Sequence, residues 1–176
     1  MFENIKRKLA HYLLSKKFLK NGSNPILFNK IITNSKSFFV ILPEEESDLS
    51  HSLDLIKFLL IHKKDVTVFL QEYRYNFFPM KDKIHFITYS QQDISRLNLP
   101  SKNLLNKLFN TKYDIVIDLN RVENTFFSAV ANIVSSKVRI SFKKENSESY
   151  YNLLYFDNNN ESELVFRNFL NFVRMF

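Results

Sequence analysis

The chain has no cysteine, no tryptophan and a single glycine, Gly22, in 176 residues. Without Cys there is no disulfide, no thiol nucleophile and no thiolate metal site. One Gly excludes a glycine-rich phosphate loop, because such loops need several positions of close backbone approach and positive φ. The usual dinucleotide and P-loop fingerprints are therefore missing. The four histidines, His11, His51, His62 and His85, are scattered with no H-x-x-x-H pair, which argues against structural zinc. No apolar run approaches the roughly 20 residues that span a bilayer. Charges interrupt the N-terminus where a signal peptide would need an apolar stretch. These absences point to a cytoplasmic protein with no metal and no cofactor.

What is present can build one domain of ordinary size. The chain is 45% hydrophobic and 15% aromatic, with 19 Phe and 8 Tyr, so its core should be rich in phenylalanine. The net charge of +7 is uneven. Residues 1–20 carry Lys6, Arg7, Lys8, Lys16, Lys17 and Lys20 against Glu3, which leaves the other 156 residues near neutral. Basic character belongs to the first segment.

That segment, Phe2–Leu19, reads as an amphipathic helix. Phe2, Ile5, Leu9, Tyr12, Leu13 and the stem of Lys16 fall on one face. Either this face packs on the domain and the basic back is solvated, or the helix lies on an anionic membrane or an acidic partner. Lys6, Arg7, Lys8, Lys16 and Lys17 would make that contact. Nucleic acid is disfavoured, since no supporting motif accompanies the basic cluster. Asn21–Pro25 breaks the helix, with Gly22 as an expected C-cap. The expected organisation is a basic helix over 1–20, a linker or extended segment over 21–35 that includes Ile26–Thr33, and one domain over 36–176.

Within the domain the periodicity alternates. Lys36–Leu42, Asp65–Leu70, Ile84–Tyr89, Lys112–Leu119, Lys137–Phe142 and Tyr151–Phe156 read as strands. The uninterrupted Ile115-Val116-Ile117 suits a strand covered on both faces. Helices are expected from Ser47 or Asp48, acting as N-cap, to about His62, with Leu49, Leu53, Ile56, Leu59 and Leu60 inward. Others are expected after Pro100, over Val122–Ser135 with an amphipathic pattern, and over Glu161–Met175. Leu164, Val165, Asn168, Phe169 and Phe172 line the last one. Gln71–Lys83 is loop-like and holds an aromatic cluster, Tyr73, Tyr75, Phe77 and Phe78. Alternating strands and helices predict a three-layer α/β/α Rossmann-like domain with a mainly parallel sheet, preceded by an extra N-terminal helix.

Three motifs in order resemble glycosyltransferase family 9, the ADP-heptose:lipopolysaccharide heptosyltransferases. Asp48-Leu49-Ser50-His51-Ser52-Leu53 is similar to the family's G-D-x-x-x-x-L-P helix start. Tyr113–Leu119 resembles its Y-D-hydrophobic-V-I-D-hydrophobic strand. Arg139-Ile140-Ser141-Phe142 resembles its R-I-G-F strand end. The likeness covers about residues 36–160 and implies the N-terminal, acceptor-side half of a two-domain GT-B enzyme, with no donor half following. The chain also resembles small Bacteroidetes proteins built from such a half with a basic leading helix. Where the family has Gly or Pro, this chain has Ser47, Asp54, Asn120-Arg121 and Ser141. These residues fill space where a ligand would approach backbone.

By this resemblance Asp48 occupies the position of a general base that would take a proton from an acceptor hydroxyl. His51, one helical turn on, would pair with it. A capping role explains the same aspartate. Asp118 at the carboxyl end of its strand and Arg121 beside it are the expected ligand contacts. Asp114 reads as a strand-start turn residue. Glu44, Glu45 and Glu46 would either coordinate a hard cation or form a solvated turn that repels a diphosphate. The expected role is a non-catalytic binding or scaffold protein with a protein partner or a second copy. The alternatives are a glycosyltransferase subunit completed by another chain, and a peripheral membrane adaptor.

Overall fold

In a computed structural model, described for residues 2–19 and 26–176, six strands form one sheet between two layers of helices. The strands are β1 (Ser37–Ile41), β2 (Asp65–Gln71), β3 (His85–Tyr89), β4 (Ile115–Asp118), β5 (Val138–Phe142) and β6 (Leu153–Tyr155). Their spatial order is β3-β2-β1-β4-β5-β6, and every neighbouring pair is parallel. This is the doubly wound Rossmann order, and the chain reverses direction across the sheet between β1 and β4. The apolar runs sit where expected because both sheet faces are covered. Phe38, Val40, Ile115 and Ile117 point into one core, while Phe39, Ile41 and Val116 point into the other.

The first core is covered by α3 (Glu46–Ile61) and α7 (Ser162–Arg174), which pack on each other. The second is covered by α5 (Lys102–Leu108), α6 (Thr125–Ile133) and α1 (Phe2–Phe18). The short helices α2 (Ile31–Asn34) and α4 (Glu72–Tyr75) lie in connections. With one glycine in the chain, left-handed turns fall on other residues: Lys30, Lys63, Met80, Asn98 and Asn146 all have φ between 55° and 63°.

Several expectations are corrected. Ile26–Thr33 is not an extended segment, since a turn at Asn29–Lys30 leads into α2. The expected break at Asn21–Pro25 and the Gly22 cap lie outside the described residues. Neither Ser47 nor Asp48 caps α3; the helix starts at Glu46, with Glu45 as N-cap. The inner face of α3 is Asp48, Ser52, Leu55, Ile56 and Leu59, and that of α7 is Val165, Phe166, Phe169, Leu170 and Val173. Ile56, Leu59, Val165 and Phe169 are buried as expected, and Leu49, Leu53, Leu60 and Phe172 pack at the edge of the same core; the buried face is wider than the expected stripe because the two helices also meet each other.

The largest reversal is in α1. Ala10 and Leu14 are its buried residues, whereas Ile5, Leu9 and Tyr12 are 59%, 44% and 60% exposed. The helix packs on α6 with the face opposite to the expected one. That contact also explains α6, which is buried almost all round. Eight of its nine residues are buried, because the sheet lies on one side and α1 on another.

Candidate functional site

In an open parallel sheet, ligands bind outside the carboxyl ends of the strands where strand order reverses. Here that place is the gap between the β1–α3 and β4–α6 connections. A cleft of about 330 Å³ lies there, between Pro43, Glu44 and Glu45 on one side and Asn120, Arg121 and Glu123 on the other. Asp48 lines it, and Asp118 is buried behind it, bonded to the Asn120 of its wall; in each case the chain supplies the partner.

Asp118 ends β4 with its side chain fully buried. Its Oδ2 accepts from Lys144 Nζ at 2.7 Å and from the Tyr151 hydroxyl at 2.5 Å. Its Oδ1 accepts from the Asn120 backbone N–H at 3.1 Å and from Asn120 Nδ2 at 2.8 Å. Lys144 also donates to the Asn120 carbonyl at 2.9 Å, and its ammonium lies 5.2 Å from the Tyr151 ring centre. Burial first, then the Asp118 carboxylate, pushes the Tyr151 hydroxyl well above its ordinary value, so Tyr151 stays a donor. The group is a closed ion pair with its hydrogen bonds made internally. Ser141 donates from Oγ to the Asp118 carbonyl at 3.2 Å.

Asp48 sits in the first turn of α3 and is 2% exposed. Oδ2 accepts from Arg121 Nε at 2.8 Å, and Oδ1 accepts from Ser162 Oγ at 2.7 Å. It ties the β4–α6 connection to the start of α7. Its hydrogen bonds go to these two residues and not to His51, so the expected Asp48–His51 pair does not form. Arg121 is likewise turned to Asp48 before any outside anion.

The acidic turn is held by a residue that sequence reasoning passed over. Arg74, on α4, is buried. Its Nη1 donates to the Pro43 carbonyl at 2.7 Å, and its Nη2 donates to the Glu44 carbonyl at 2.6 Å and to Glu46 Oε2 at 3.0 Å. The signal available was a lone arginine among aromatics. Among the described residues, no group of three or more carboxylates and histidines is placed to hold a metal ion. The cleft mouth is flanked by Glu44, Glu45 and Glu123, a field that opposes phosphate.

Two motif residues lie at the other end of the sheet. Asp114 Oδ2 accepts from the backbone N–H groups of Lys36 and Ser37, at 2.8 and 3.0 Å, joining the starts of β1 and β4. Arg139 donates to the carbonyls of Ala131, Val134 and Ser136 at 2.7, 3.0 and 2.9 Å, closing the end of α6. Both are scaffold residues. Lys6, Arg7, Lys8 and Lys16 are exposed on α1, and Arg7 pairs with Glu145 at 3.1 Å. The Lys17 side chain lies outside the described ones.

Residues 6–173 match a protein family described as a family of unknown function, DUF6913. The chain belongs to that family. A DNA-directed RNA polymerase subunit beta of Theileria parva is 24% identical over 200 aligned positions, covering 99% of this chain. The chain spans 19% of that relative's length. A mutant form of enoyl thioester reductase from Candida tropicalis aligns in structure at 12% identity and a TM-score of 0.41, over 96% of this chain and 47% of that one. At these values the two likenesses carry no assignment of activity to the DUF6913 chain. The resemblance to glycosyltransferase family 9 rests on its three motifs.

Proposed function

We propose that this chain is a non-catalytic binding or scaffold domain with the architecture of a heptosyltransferase acceptor half. The observation that carries the reading is the state of Asp48 in the switch-point cleft and of Asp118 buried behind it. Asp118 accepts four hydrogen bonds, from Lys144, Tyr151 and Asn120, and Asp48 accepts one on each oxygen, from Arg121 and Ser162. A general base needs a carboxylate within reach of a substrate hydroxyl. For Asp48 to act as one, the Arg121 pair would have to open. The acidic mouth and the missing glycine loop also disfavour a nucleotide-sugar diphosphate.

A partner surface lies beside the cleft. Tyr73 is 59% and Phe77 86% exposed at the end of β2, while Phe78 of the same cluster is buried. An exposed aromatic pair on a connection held by a buried arginine suits a protein partner or a second copy.

A thermal-shift titration with ADP-, UDP- and GDP-sugars tests the reading. A ligand at 100 times its dissociation constant would add about 2.7 kcal/mol, a readily seen shift. The expected result is no shift with any of them. A shift with one sugar nucleotide that Asp48→Ala abolishes would establish the enzyme-subunit reading instead.

A further inference from the structure

Helix α1 carries apolar residues on two faces, and the domain uses one. At 3.6 residues per turn, the buried pair Ala10 and Leu14 lies roughly 150° around the axis from Ile5, Leu9 and Tyr12. The second row occupies positions i, i+4 and i+7, so it forms a continuous strip along consecutive turns. Scattered exposed apolar side chains are ordinary; a row of three on one helix face marks a contact surface.

The surroundings of the strip are basic. Lys8 and Lys16 are exposed, and Lys16 Nζ stands 5.9 Å from the centre of the Tyr12 ring. Residues 1–20 hold six cations against the single Glu3, while the rest of the chain is close to neutral. Anchors on the inner side fix how the strip faces outward. Arg7 reaches Glu145 at 3.1 Å. His11 Nδ1 meets the Tyr150 hydroxyl, while its buried Nε2 lies 3.1 Å from the Glu123 carboxylate without forming a hydrogen bond. No helix among the described residues is long and apolar enough to cross a membrane.

We propose that the outer strip of α1 docks the domain on an anionic lipid bilayer, lying in the plane of the interface. Ile5, Leu9 and Tyr12 enter the boundary between headgroups and acyl chains, and the lysines meet the lipid phosphates. An apolar strip edged by cations complements an apolar layer edged by anions. This inference is independent of the state of the cleft.

The test is flotation of the intact chain with vesicles of phosphatidylcholine alone or mixed with phosphatidylglycerol, with sedimentation of the free protein alongside. Binding is expected only with phosphatidylglycerol and is expected to weaken with salt. Ile5→Asp/Leu9→Asp should abolish it with the melting temperature unchanged, since both positions are exposed. Lys8→Glu/Lys16→Glu should weaken it at least about tenfold, from the worth of each cation at an anionic surface. Folded wild-type chain that stays with the buffer in the presence of phosphatidylglycerol would overturn the proposal. So would binding that both double variants retain. Self-association lost in Ile5→Asp/Leu9→Asp, without vesicle binding, would assign the strip to a second copy of the chain.

Discussion

At the scale of the residue, the Asp118–Lys144 pair has the largest consequences. Both side chains are almost completely buried, at 0% and 4% exposure. Removing one partner leaves an uncompensated charge, so Lys144→Met alone should cost about 3–5 kcal/mol of unfolding free energy. Asp118→Asn with Lys144→Met removes both charges and should recover most of that loss. Urea denaturation of the two variants measures the difference, and equal losses would show that the charge pair is not the source. Asp114 supplies a pH dependence. Backbone N–H groups of Ser37 and then Lys36 hold its carboxyl below the ordinary value, at an exposed site. A depressed folded value means that the folded chain binds the proton less tightly than the unfolded one. Its stabilisation is therefore complete above the unfolded value and is lost as pH falls through the folded one. Wild type should lose stability more steeply than Asp114→Asn below about pH 4, read from denaturation midpoints across that range.

At the scale of the element, helix ends show how a chain with one glycine manages its turns. At the end of α3, Lys63 N–H donates to Leu60 O and Lys64 N–H to Leu59 O, both at 3.0 Å. This is the Schellman arrangement, with Lys63 in the left-handed position usually taken by Gly. A side chain there is disfavoured sterically, so Lys63→Gly should stabilise the protein by about 1 kcal/mol, seen as a higher melting temperature. No gain would mean that the Lys63 stem makes compensating contacts. The strands and the existence of the helices were legible because their apolar periods are local. Arg139 as the closure of α6, and Arg74 as the clamp on the acidic turn, were not. Each reaches carbonyls whose position depends on packing, and no spacing rule links them.

At the scale of the whole molecule, α1 is part of the packed body. Leu14 is fully buried in the core that contains α6, and α6 is buried over nearly its whole surface. Deleting residues 1–19 should expose that core, raise binding of a hydrophobic dye and lower stability by at least about 2 kcal/mol, the lower end for a lost buried leucine. An unchanged denaturation midpoint would show instead that residues 1–20 are a separate unit. The sequence by itself determined the alternation of strands and helices, the parallel three-layer class and the absence of a glycine phosphate loop, because these follow from period and composition. It also placed Asp48 and Asp118 near the carboxyl edge of the sheet. Only the tertiary structure decided that Lys144, Tyr151, Arg121 and Ser162 close on those aspartates. The same is true of which face of α1 is inward. A helix with apolar residues on two sides has no inside until a neighbour covers one of them, and a buried carboxylate takes the partner that the fold carries to it across the chain.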